Sequence, residues 1–186
     1  MSSKPLARFQ AEPVLEEPAE NPFLEKFYRD GARYALPTQL FFLFQRVNQL
    51  RDIAQRDLFT QALVGDFLLD KDPLFARLPL DDDELNLYQT LYDSLRPQAP
   101  TPDLVIYLQA PADSLIDRIR RRGIRMESNI TEQYLRALAD AYSRYFYRYD
   151  DAPLMIINTE HLNPIDNEDD FETLLRQLAD LKGRRV

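Results

Sequence analysis

"PDLVIYLQAPADSLIDRIRRRG", residues 102–123, joins two kinds of pattern in one short stretch. Its first half is an apolar run between Pro102 and Pro111, with the form of a buried strand. Its second half reads as a helix that Gly123 stops. Working outward, three more short apolar runs have strand character: "EPVLEEP" (12–18), "ALVGDF" at the end of 57–67, and "APLMIINT" (152–159). Helical patterns lie between them. Residues 34–56 form one long amphipathic helix with Phe41, Phe44, Val47 and Leu50 at helical spacing. "LPLDDDELNLYQTLYDSL" (78–95) opens with an acidic turn at Asp81–Glu84, favourable to the helix dipole. A helix over 131–149 opens at Thr131, and another closes the chain over 167–181. Strands alternating with helices predict an α/β fold with a parallel sheet flanked by helices.

Composition narrows the chemistry. A length of 186 residues suits a single domain over 1–186 with a real core. The absence of cysteine excludes disulfides and thiolate catalysis and points to the cytoplasm. With His161 as the sole histidine, His-rich metal sites and a Ser-His-Asp triad fall away, and no metal site is expected from the residues. No apolar run approaches a membrane span, and an isoelectric point near 4.7 argues against a nucleic-acid-coating surface.

Against a net charge of −8, five arginines occupy the eight positions 118–125. On a continuous helix Arg118, Arg122 and Arg125 would share one face. Such a cluster is either a solvated helix end with cations near the negative dipole or a phosphate clamp of bidentate guanidiniums. Glu127, just beyond, balances the cluster or meets a substrate hydroxyl. Glu17 at the end of the first strand lies where open α/β sheets bind ligands, as a general base or as a solvated strand end. Asp66 occupies the same place after the second strand. Gln39 and Arg46, two helical turns apart, suit a heterocycle's edge or a buried hydrogen-bonding role. Asp81–Asp83 and Glu168–Asp170 read as helix starts. Tyr142, Tyr145, Phe146, Tyr147 and Tyr149 read as core plus subunit contact, and His161 as a surface residue.

Taken together, "EEPAENPFLEKFYRDGARYALPTQLFFLFQR", "VGDFLLDKDPLFARL", "PDLVIYLQAPADSLIDRIRRRGI" and "YDDAPLMIINT" resemble the deoxynucleoside kinases, most closely the bacterial deoxyadenosine/deoxyguanosine kinase branch. The resemblance implies a P-loop-kinase-like parallel sheet, ATP and Mg²⁺, a purine deoxynucleoside acceptor, nucleotide salvage, and a homodimer built from helices that include 34–56. It implies Glu17 as base for the 5′-hydroxyl. Tyr28 and Glu127 fall on the pair for the 3′-hydroxyl, Gln39 with Arg46 on the base edge, and Arg118 with Arg122 on the donor phosphates. Asp66 falls near the family's acid–arginine motif, with Phe67 where the arginine usually stands. The stretch beginning at Asn158 takes the place of the loop that cradles adenine.

The family's first, central strand and its GxxxxGK[ST] phosphate loop should precede "LARFQ". None of Gly31, Gly65, Gly123 or Gly183 belongs to such a motif. The expectation is therefore a kinase shortened at its N-terminus, its first strand missing and its catalysis impaired. The rival reading is a homologue that serves as a nucleoside-binding or interaction protein.

Overall fold

The computed structural model describes residues 11–54, 62–96, 100–164 and 167–179. Parts of the expected elements, at 57–61, 55–56 and 180–181, lie outside these residues, as do Gly183 and the stretch ahead of residue 11. All four expected strands are present, as β1 (Glu12–Val14), β2 (Leu63–Gly65), β3 (Val105–Gln109) and β4 (Leu154–Asn158). They pair in parallel as β1 with β2, Glu12 opposite Leu63, and as β3 with β4, Val105 opposite Leu154. Among the described residues no ladder joins the two pairs.

Among the described residues seven α-helices accompany them: α1 (Leu24–Arg29), α2 (Gly31–Ala54), α3 (Asp72–Arg77), α4 (Asp82–Leu95), α5 (Ala112–Arg122), α6 (Glu132–Arg148) and α7 (Glu168–Ala179). The chain falls into two compact units. One comprises Met1–Pro100 with Arg125–Ile130, the other Thr101–Ile124 with Thr131–Val186.

In the first unit α2 packs against α1, α3 and α4. Its buried face is Ala35, Thr38, Gln39, Leu43, Arg46 and Val47. Of the expected apolar stripe, Val47 is inside, whereas Phe44 is 45% exposed. The stripe is displaced because polar side chains occupy part of the inner face. Helix α4 starts as expected, with a capping box in which Asp81 accepts from the Glu84 N–H at 2.9 Å and Glu84 accepts from the Asp81 N–H.

The second unit is built on β3 and β4. Val105 and Tyr107 are buried on one face of β3, and Phe146 of α6 stacks on Tyr107 with ring centroids 4.3 Å apart. Tyr142, Tyr145 and Tyr149 surround Phe146 at 5.1–6.0 Å. The aromatic run is thus core, apart from Tyr147, which is 75% exposed. Thr131 caps α6 by accepting from the Tyr134 N–H. His161 is on the surface with Glu160 as its neighbour.

Candidate active site

In the first unit β1 ends at Val14, and the next three residues are gripped by α2. The Gln49 amide donates to the Leu15 carbonyl at 2.9 Å, Arg46 pairs with the Glu16 carboxylate, and the Gln45 amide reaches the Glu17 carbonyl at 3.4 Å. Glu17 itself is exposed at the start of a 3₁₀ turn, Pro18–Glu20. A hydrogen bond with Glu20, then that neighbour's charge, lifts the Glu17 carboxyl above the usual carboxylate range. A carboxylate held in this way takes a proton more readily than an isolated one. Asp66, one residue past β2, accepts from the Glu16 N–H at 2.9 Å, so it ties the end of β2 to the residue before Glu17.

Gln39 and Arg46 lie on the inner face of α2, 5% and 7% exposed. Arg46 binds Glu16 on one side and Asp72 on the other. Burial alone would lower its guanidinium, but Asp72 and Glu16 more than reverse this and push it up. Asp72, 1% exposed at the start of α3, was not singled out by the sequence reading. Burial pushes its carboxyl up to about 6 against the pull of Arg46. Its second oxygen, Oδ2, is buried with no hydrogen-bond partner, as is the Tyr88 hydroxyl, whose phenol is raised by burial and then by the Asp72 charge. Buried polar atoms left without a partner need a reason, and accommodation of a ligand is one. The available signal was the acid directly before Pro73, a helix start that turns Asp72 inward.

Tyr28 lies on α1, which packs against the 3₁₀ turn Arg125–Asn129 that carries Glu127. These two expected partners therefore sit on touching elements of one unit. Glu17, Gln39, Arg46 and Asp66 belong to that unit as well.

Arg118, Arg122 and Asn158 belong to the second unit. Helix α5 ends at Arg122 because Gly123 takes a left-handed conformation, φ 66°, its N–H bonding the Ile119 carbonyl. Arg125 follows in the separate turn, so the shared face expected for Arg118, Arg122 and Arg125 holds only for the first two. Arg118 bonds Thr159 just past β4, and Asn158 accepts from the Glu160 N–H at 2.9 Å to shape the loop that follows. Among the described residues, no group of three or more His, Cys, Asp or Glu side chains is disposed to hold a metal ion. Nor is any helix among them long and apolar enough to cross a membrane.

Comparison with solved structures places the fold. Deoxyadenosine kinase from M. mycoides with bound dATP superposes with a TM-score of 0.81, at 23% identity over 96% of this chain and 91% of that one. Among curated proteins, deoxyguanosine kinase from Bacillus subtilis is 28% identical over 91% of this chain and 84% of its own length. Deoxyadenosine/deoxycytidine kinase from the same organism is 27% identical over 89% and 78%. The family model for deoxynucleoside kinases matches residues 3–181, through both units. The chain belongs to the deoxynucleoside kinase family.

Proposed function

We propose that this chain transfers the γ-phosphate of ATP to the 5′-hydroxyl of a purine deoxynucleoside, in nucleotide salvage. Its two units together make one kinase domain, working in the cytoplasm as a homodimer with α2 among the contacts. The observation that carries this reading is the buried polar set in the first unit. The Gln39 side chain is 5% exposed, and Asp72 Oδ2 lies unpartnered beside the Arg46 pair. An amide offers donor and acceptor to one edge of a base, and a carboxylate oxygen accepts from an exocyclic amino group. Arg46 holds Asp72 in place and favours its ionised form. Tyr28 and Glu127 take the sugar 3′-hydroxyl. Glu17 accepts the 5′-hydroxyl proton as that oxygen bonds to the γ-phosphorus and ADP departs. Arg118 and Arg122 stabilise the donor phosphates, and the loop from Asn158 receives adenine.

A second reading, a nucleoside-binding protein without catalysis, is favoured by one observation: the residues proposed to hold the nucleoside all lie in the first unit. Incubating the purified chain with γ-labelled ATP and deoxyadenosine, deoxyguanosine or deoxycytidine separates the two. Transfer that favours the purines and falls about 10²–10⁴-fold in Glu17→Gln supports the kinase. Nucleoside binding that Gln39→Leu abolishes, without any transfer, supports the second reading.

A further inference from the structure

Helix α5 carries four of the clustered arginines, yet none of its residues is buried, and its N-cap, Pro111, supplies no side-chain hydrogen bond. It packs on α6, where Asp113 pairs with Arg136 at 2.6 Å, and Arg118 ties it to the end of the sheet. One terminal nitrogen of Arg118 donates to the Thr159 hydroxyl at 3.0 Å, and the other donates to the Thr159 carbonyl. Thr159 is only 4% exposed. Its hydroxyl in turn donates to the Gln109 carbonyl at 3.0 Å, and its N–H bonds the same carbonyl at 2.8 Å. The last residue of β3, the first residue past β4 and the middle of α5 are therefore linked by four hydrogen bonds that converge on one threonine.

We propose that Thr159 is a positioning residue: its hydroxyl and carbonyl together fix the Arg118 guanidinium, and with it α5, over the carboxyl ends of β3 and β4. The hydroxyl is well suited to this. It accepts from Arg118 and donates to Gln109, so both of its roles are used and its rotamer is set. Arg118 commits two of its five N–H groups, which leaves three for an anion. A guanidinium already fixed loses less freedom when it meets a phosphate than one that swings freely. Lysine cannot do the same, because a point cation does not span a hydroxyl and a carbonyl as a planar fork does. The catalytic consequence rests on the donor-phosphate role proposed above for Arg118. The anchoring itself does not.

The test compares Thr159→Val, which keeps the shape and deletes the hydroxyl, with Thr159→Ser, which keeps the hydroxyl. Amide hydrogen exchange over residues 112–122 of the ligand-free chain reads the anchor directly. The apparent KM for ATP, at saturating deoxynucleoside, reads its consequence. Loss of one such hydrogen bond corresponds to about a three- to tenfold change. We expect Thr159→Val to accelerate exchange in 112–122 and to raise the KM for ATP by that factor, with the KM for the nucleoside unchanged. Thr159→Ser should restore both. Exchange at the wild-type rate in Thr159→Val, or Thr159→Ser behaving like the valine variant, overturns the anchor. An altered exchange rate with an unaltered ATP KM retains the anchor and refutes its link to the donor. A chain without any transfer removes the kinase reading, while the exchange comparison still decides for or against the anchor.

Discussion

The two units solve the problem of a small core in opposite ways. The second buries rings: Phe146 sits amid Tyr107, Tyr142, Tyr145 and Tyr149, and its arginines stay outside on α5. The first buries charge, with Arg46 between Glu16 and Asp72 behind a helix whose inner face is partly polar. Burying ions stabilises less than burying apolar area, because desolvation offsets most of the Coulomb attraction. A network of this kind persists where it serves something besides stability, and here it surrounds the atoms proposed to read a base. The aromatic unit has no such constraint and is packed for cohesion.

Removing one member of the charge network breaks this contrast most sharply. Arg46→Met removes the guanidinium bonded to both Glu16 and Asp72, leaves Asp72 only the charge of Lys71, and should destabilise the first unit by about 3–5 kcal/mol. Urea unfolding followed by hydrogen exchange should show the loss in α2 and α3 and little change in α6. A neutral result would mean that the network is not what holds the first unit.

The matching change in the second unit, Phe146→Leu, removes several ring pairs while keeping apolar volume. It should cost about 1.5–2 kcal/mol, with the loss confined to β3, β4 and α6. Equal losses in both units would erase the distinction.

Acidity sharpens the contrast at the site. Burial lifts Asp72 to about 6, so its carboxylate gains a proton as the pH falls through that value and loses its acceptor character. The KM for the nucleoside should rise by about tenfold per unit below pH 6 while the KM for ATP stays level. In Asp72→Asn the nucleoside KM should be high throughout, and that dependence should vanish. The smallest effect belongs to the surface: Asp81→Ala deletes the capping box of α4 and should lower stability by about 0.5–1 kcal/mol, without altering either KM.

The legibility of the sequence follows the same division. Apolar runs bounded by proline identified β3 and β4, and Gly123 and Thr131 gave the ends of α5 and α6, because there local chemistry and packing agree. In the first unit the strands are three residues long, too short for a pattern to set their limits. The turn after β1 is held by side chains of α2 that are distant in sequence. Helices α1 and α3 span six residues each and lack a periodic stripe, so the reading passed over them. Phe44 belongs to the expected apolar stripe, whereas Gln39 and Arg46 occupy the inner face. Arg46 was found by its spacing from Gln39, but its partner Asp72 was not, since a contact across 26 residues leaves no local trace.

The aromatic cluster of the second unit has an optical consequence. The chain contains ten tyrosines and no tryptophan, so no indole drains or masks the phenol emission. Light absorbed near 280 nm is therefore emitted as tyrosine fluorescence, and the rings around Phe146 stand close enough to exchange excitation among themselves. A single tryptophan introduced at exposed Tyr147 would collect that energy and report the second unit alone. One placed at Phe44 would report the first, against a background free of any native indole.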